Sequence, residues 1–284
     1  MIFMKKAVVF GASSTGKRIY ESIKHDMDVV AFLDEDSEKW GGYYDNVEIH
    51  NPDDLLQMDY DYVYVGVLTY YLDVMARLHT YGIPDYKIVD KYVSLPHDAR
   101  IEFLENAKVM LDEEEISDGN VAELGVYKGD FAKELNRVFH DKKLYLFDTF
   151  DGFAASDDDA ERKAGFSQET QAGYFSDTSV EYVMSRMPFR DRCVARKGFF
   201  PDTAKGLEHE KFIFVNIDAD LYEPILAGLR WFYPRMSDGG IVLVHDYYSK
   251  AFTGARQAVE LFARENHVRF LPVGDTLSVA IRKS

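Results

Sequence analysis

The stretch Glu123-Leu124-Gly125-Val126-Tyr127-Lys128-Gly129 puts two glycines and a carboxylate where a strand would turn into a helix. Glycines at 125 and 129 let the backbone come close to a ligand, and a helix start offers unpaired N–H groups. Asp148 closes the next strand-like run, a place where an acidic group can accept both hydroxyl protons of a ribose. Each feature alone also fits a solvated strand end. Together, at consecutive strand ends, they point to a bound nucleoside. A second glycine turn, Gly11-Ala12-Ser13-Ser14-Thr15-Gly16, has the outline of a dinucleotide fingerprint, with Asp34 placed 18 residues past Gly16 to suit a ribose hydroxyl. Ser13, however, replaces the glycine that lets a pyrophosphate approach. Ser13, Ser14 and the helix start behind them could still meet a phosphate.

Holding these groups requires strands and helices in alternation, and the chain supplies two such series. In the first, residues 6–11, 29–34, 60–67 and 86–89 read as strands, with helices over 17–24 and 70–81. A proline and polar residues at Ser94 to Asp98 break the pattern, and a helix is expected from Arg100 to about Leu111. The boundary therefore falls at 97/98, giving a small Rossmann-like domain over 1–97 and a second domain over 98–284. In the second, residues 120–124, 143–148, 193–196, 212–218 and 241–245 read as strands. Residues 268–273 and 277–282 flank Gly274-Asp275-Thr276 and read as a closing hairpin. The fold class is α/β with two Rossmann-like domains. Residues 151–177 form a long polar insertion without clear periodicity, of the kind that closes over a site. Tyr174 and Phe175 within it could pack on a sugar face.

Composition narrows the function. The chain has 284 residues, 46% of them hydrophobic, enough for two cores. Thirty-three Lys and Arg against 49 Asp and Glu give a net charge of −16, spread over both halves, which disfavours nucleic acid and anionic membrane surfaces. Cys193 is the only cysteine, so no intramolecular disulfide and no cysteine-based zinc site can form. That and the lack of an apolar run of about 20 residues set the expectation of a cytoplasmic protein. The other seven histidines show no metal-ligand spacing beside His245.

ELGVYKG, FDTFDGF at 147–153, GFFPDT at 198–203, NIDADLYEP at 216–224 and DGGIVLVHDYY at 238–248 follow one another in the order and spacing of the macrocin O-methyltransferase (TylF-like) family. The resemblance covers roughly residues 100–284. It implies a class I S-adenosylmethionine (SAM) methyltransferase sheet ending in an antiparallel hairpin, and methylation of sugar hydroxyls. It also implies that Glu123, Gly125 and Gly129 line the methionine and ribose part of SAM, and that Asp148 holds the ribose hydroxyls. Thr149, Phe150, Gly198, Phe199 and Asp218 fall at further cofactor positions, with Phe150 and Phe199 near the adenine. A divalent metal would lie on Asp218 with His245 and Asp246, and Asp220 stands at the general-base position.

His245 departs from the acidic pair of that family. Magnesium prefers oxygen ligands, whereas imidazole suits softer ions. Two readings stay open: a metal site holding Mg²⁺ or a softer ion, or no metal with His245 as the base. In the first domain, FLDEDSEKWGG, NPDDL and YVYVGV resemble the N-terminal domain of nucleotide-sugar acyltransferases, which implies recruitment of a nucleotide-linked sugar. The expectation is thus a SAM-dependent O-methyltransferase acting on a sugar, nucleotide sugar or glycosylated small molecule, with homo-oligomerisation left open. The rivals are an NAD-dependent nucleotide-sugar enzyme and a non-catalytic nucleotide-binding module.

Overall fold

In the computed structural model, residues 4–68, 70–153, 155–167 and 173–284 are described, and the chain divides into two units, Met1–Asp98 and Ala99–Ser284. Parts of the expected insertion, residues 154 and 168–172, lie outside the described residues. Among the described residues no helix is long and apolar enough to cross a membrane.

The first unit runs β1 (Lys5–Phe10), α1 (Ser14–Ile23), β2 (Met27–Leu33), β3 (Tyr43–Tyr44), β4 (Val47–His50), β5 (Tyr62–Val65), α2 (Tyr71–Thr80) and β6 (Ile88–Val89). Its six-stranded sheet has the order β3-β4-β2-β1-β5-β6, parallel except for the β3/β4 pair. Residues 7–10 of β1 are fully buried, as a central parallel strand covered on both faces requires. At the end of β1 the chain packs against α1 so closely that a Cβ on Gly16 would lie 1.7 Å from the Gly11 carbonyl oxygen. The β3/β4 pair turns through Asp45 and Asn46, both left-handed.

Asp34 does not have the freedom expected of a ribose ligand. Only 4% exposed, it accepts the Ala12 N–H at 2.8 Å through Oδ2, and the Asp36 N–H at 3.0 Å and Lys39 Nζ at 3.1 Å through Oδ1. The carboxylate is spent on tying the β1–α1 loop to the end of β2.

The division falls within α3 (Lys91–Glu113). This helix starts nine residues before the expected Arg100 and contains Pro96, which forgoes one backbone hydrogen bond without ending it. The second unit continues with β7 (Asn120–Leu124), α4 (Asp130–Val138), β8 (Leu144–Asp148), α5 (Ala155–Lys163), α6 (Val180–Arg186), β9 (Cys193–Lys197), β10 (Phe212–Ile217), α7 (Tyr222–Phe232), β11 (Met236–Val244), α8 (Thr253–Asn266), β12 (Phe270–Pro272) and β13 (Val279–Arg282). The sheet order is β12-β13-β11-β10-β7-β8-β9, parallel except that β13 runs antiparallel to both β12 and β11. All six residues of β10 are buried. The order reverses between β7 and β10, which opens a crevice at their C-terminal ends. Within the insertion, α5 replaces the irregular segment expected there.

Replacing Asp34 with Ala strands the buried Ala12 N–H and the Lys39 ammonium. The expected loss is roughly 1–3 kcal/mol, read as a lowered midpoint of denaturant unfolding; an unmoved midpoint would show that the contacts of Asp34 do not hold this loop.

Candidate active site

Four strands of the second unit end together, and each is followed by a non-glycine residue in the left-handed region: Tyr127 after β7 (φ 48°), Phe150 after β8 (φ 51°), Asp220 after β10 (φ 56°) and Asp246 after β11 (φ 60°). Such backbone costs on the order of 1–3 kcal/mol per residue and persists where surrounding contacts impose it. One of those contacts is visible at Gly125, whose φ is 83°: a Cβ there would stand 2.0 Å from the Asp218 carbonyl oxygen. The β7 and β10 loops can meet only because residue 125 has no side chain.

Beneath the loops lies a chain of polar side chains. Arg100, from α3, donates through Nη2 to Asn216 Oδ1 at 3.0 Å and Asp218 Oδ2 at 2.8 Å, and its guanidinium lies 4.2 Å from the centre of the Phe131 ring. Asn216 donates in turn to Glu123 Oε1 at 2.8 Å, and Glu123 Oε2 has no partner. On the other side His245 Nδ1 stands 3.0 Å from Asp218 Oδ1 and 2.8 Å from Asp246 Oδ2. Burial opposes ionisation of Asp218, but His245 and Arg100 outweigh it and hold the carboxyl well below the usual range. Burial would also lower His245, yet Asp218 and Asp246 push it up to about 10. Glu123 and Asp220 go the other way. Burial raises both well above the ordinary carboxyl range, reinforced by Asp218 at Glu123 and by Asp246 and Asp218 at Asp220, which favours their neutral forms.

Above this layer is a cavity of about 310 Å³. Gly125, Asp148, Thr149, Gly198, Asp218 and Asp220 line it, and half-exposed Phe199 forms part of its wall. Other expected site residues stand elsewhere. Glu123 is buried under the cavity, Gly129 caps the start of α4, and His245 and Asp246 connect with it through Asp218. Phe150 is 2% exposed and belongs to the buried cluster of Val126 and Leu146, with its amide tied to Asp148 and its ring in the core. The wall also includes Tyr127, Phe153 and Phe175, and Phe175 meets the other two rings edge-on at 5.0 and 5.2 Å between centres. Asp177 accepts from the Tyr127 hydroxyl at 2.8 Å and pairs with Lys128 at 2.9 Å, which fastens the end of the insertion to the glycine loop.

Asp148 is already heavily engaged. Its Oδ2 accepts the Val126 and Tyr127 N–H groups at 2.6 and 3.0 Å, and its Oδ1 accepts that of Phe150 at 2.6 Å. A carboxylate has about four acceptor positions, and the fourth meets only the Thr149 hydroxyl, 3.4 Å from Oδ1, whose proton goes to the nearer Gly152 carbonyl at 2.8 Å; a ligand can claim that one position, not the two that a full ribose fork would use.

The Asp218, His245 and Asp246 donor atoms all lie within 4.8 Å of one another. Bonds of about 2.1 Å to one ion set neighbouring donors about 3 Å apart, which the 3.0 and 2.8 Å separations match. One imidazole and two carboxylates suit an ion that accepts both nitrogen and oxygen. The same spacing suits a protonated imidazole between two carboxylates.

Replacing Asp148 with Ala frees three loop amides, and hydrogen exchange at Val126, Tyr127 and Phe150 should quicken by about tenfold or more for the loss of charge-assisted bonds; unchanged protection would remove Asp148 as the anchor of the loop. In chelator, the stability gained from protonated His245 should be complete below the unfolded value near pH 6.5 and fade as pH rises toward the folded value of about 10. The gap in unfolding midpoint between the wild type and His245→Asn should narrow over that window, and a constant gap would mean that the folded imidazole carries no extra proton.

Residues 92–283, more than half of the chain, match the family described as macrocin-O-methyltransferase (TylF), and residues 3–89 match one described as C2185-like, N-terminal. The latter description differs from the acyltransferase resemblance of those residues. Mycinamicin III 3''-O-methyltransferase of Micromonospora griseorubida is 29% identical over 160 residues, covering 52% of this chain and 61% of that protein. The tetracenomycin-glycoside 4'-O-methyltransferase of Streptomyces olivaceus, which acts on a dimethoxy-rhamnosyl compound by its name, is 27% identical over 150 residues, 50% and 56% of the two chains. The matched part thus spans less than two thirds of these relatives. Among solved structures, the O-methyltransferase NovP aligns with a TM-score of 0.52 at 21% identity, over 66% of this chain and 80% of its own. The calicheamicin methyltransferase CalS11 aligns at 0.52 and 20%, over 75% and 93%. These two likenesses show the methyltransferase fold, with its antiparallel closing hairpin. With the family match over 92–283, the chain belongs to the macrocin-O-methyltransferase (TylF) family.

Proposed function

We propose that the chain transfers the methyl group of SAM to a hydroxyl of a sugar or glycosylated small molecule. The observation that carries this reading is the pair Asp218 and Asp220, presented to a cavity at the reversal point of a TylF-family sheet. Printed names of the relatives, which describe methylation of glycosylated compounds, support the acceptor class.

Methyl transfer forms an O–C bond, breaks the S–C bond and releases the hydroxyl proton, so the site must align two reactants and accept a proton. The Gly125 loop gives the cofactor a close backbone surface, and one ribose hydroxyl takes the acceptor position of Asp148 that otherwise meets only the distant Thr149 hydroxyl. Thr149, Gly198 and Phe199 continue the cofactor wall. Asp220 is the better base of the two candidates. His245 Nδ1 is turned toward Asp218 and Asp246, as a proton donor or as a metal ligand, whereas Asp220 lines the cavity, where burial and the neighbouring Asp246 and Asp218 raise its affinity for a proton. Asp218, His245 and Asp246 would hold a divalent ion, which would lower the pKa of the acceptor hydroxyl when bound. For the first unit, the engaged carboxylate of Asp34 argues against a ribose of NAD as its ligand.

The test is incubation with labelled SAM and a panel of neutral glycosides and nucleotide sugars, with and without chelator. Asp220→Asn should lower turnover by roughly 10²-fold or more while the SAM dissociation constant stays within about twofold of wild type. Wild-type turnover in that variant would transfer the role of base elsewhere, and no label transfer to any acceptor would sink the reading.

A further inference from the structure

The helix that follows the candidate base lacks a side-chain cap of its own. Leu221, at the N-cap of α7, makes no side-chain cap hydrogen bond. The first helical N–H, that of Tyr222, is instead accepted at 2.5 Å by Glu161 Oε1, from a residue 61 positions away on α5. Glu161 is 4% exposed, and its Oε2 has no partner among the described residues. The contact is reinforced on both sides. The Phe166 ring, just past α5, lies 5.2 Å from the Tyr222 ring, and Thr253 Oγ1 donates to the Phe166 carbonyl at 2.7 Å. At the start of α8, a Cβ on Gly254 would stand 2.5 and 2.6 Å from the two carboxyl oxygens of Glu161, so the absence of a side chain there makes the space that the carboxyl fills.

Tyr222 follows Asp220 by two residues, and Asp220 holds a left-handed backbone that only its surroundings can maintain. A tie at Tyr222 therefore fixes the far end of the turn that aims the Asp220 carboxyl into the cavity. We propose that Glu161 is a positioning residue for methyl transfer, acting through the Tyr222 amide as a hydrogen-bond acceptor to set the Asp220–Tyr222 turn. This rests on the role given to Asp220 above. Neither an ion pair nor contact with substrate is involved. The tie uses one side-chain oxygen as an acceptor, so a neutral side chain of the same shape can do the same work; burial raises the Glu161 carboxyl, the Tyr222 amide lowers it, and Glu223 and Asp157 raise it further.

Three variants of the full chain test this: Glu161→Ala, Glu161→Gln and Gly254→Ala. Misplacement of a reacting group by about 1 Å can cost roughly 10²-fold. Glu161→Ala is expected to lower kcat between about tenfold and a hundredfold, with KM for SAM little changed and faster hydrogen exchange at the Tyr222 amide. Glu161→Gln keeps an oxygen for that amide and should restore kcat to within about threefold of wild type. Gly254→Ala displaces only the end of a flexible side chain, so it should lower kcat at a near-native unfolding midpoint, and this keeps the test valid if Glu161→Ala folds poorly. Wild-type kcat in Gly254→Ala, or a Gln variant as slow as the Ala variant, overturns the proposal. If the wild-type protein methylates no acceptor, the function proposed above has failed, and exchange at Tyr222 decides alone: faster in the two Ala variants but not in the Gln variant supports Glu161 as the tie, and no difference overturns it.

Discussion

The Asp218 carboxylate is shared between Arg100 on α3, at its Oδ2, and the His245 imidazole just past β11, at its Oδ1. Taking a carboxylate out of water costs several kcal/mol, and attraction offsets this only when partners are close and further hydrogen bonds are made. Both conditions hold here, and much follows. Burial, reinforced by the charge of Asp218 and, at Asp220, of Asp246, favours the neutral forms of Glu123 and Asp220, so an acid-rich layer holds together with less buried negative charge. Because Arg100, Asn216, Asp218 and His245 sit on three different elements, the pairing also fixes how α3, β10 and β11 meet at the cavity floor.

The two units solve one problem in the same way. In each, an acidic residue near the end of the second strand accepts N–H groups from the turn after the first: Asp34 takes that of Ala12, and Asp148 those of Val126 and Tyr127. A turn that exposes its amides toward a ligand leaves donors unpaired, and a neighbouring strand-end carboxylate satisfies some of them from below. The difference lies in what remains. Asp34 is also occupied by Lys39 and the Asp36 amide, whereas Asp148 borders an open cavity.

Much of this was legible in the chain. The strand-end acids, the glycine turn and the closing hairpin follow from spacing, because parallel strands buried on both faces leave continuous apolar runs bounded by polar residues. Arg100 was not legible: it lies on a helix, 118 positions from Asp218, and no local pattern marks a lone basic residue as a buried partner. Nor was α5, whose inward positions include Asp158 and Glu161, so hydropathy gives it no apolar face. The short β3/β4 pair left one signal, Asp45-Asn46 between two β-prone runs, a turn whose residues tolerate left-handed backbone. What the acidic residues bind was hidden for a different reason. Spacing places Asp148 and Phe150 at a strand end, but whether such groups face a ligand or their own backbone depends on how the loop folds back.

The placement of β13 has an implication for how the protein is made. This strand is the last in chain order, yet it sits inside the sheet, joined to β11 on one flank and β12 on the other. Until residues 279–282 dock, Ile241 to Val244 show an unpaired flank that another folding copy could adopt as a template. Docking of the hairpin is therefore the step at which association between copies competes with folding, since only then does that flank close.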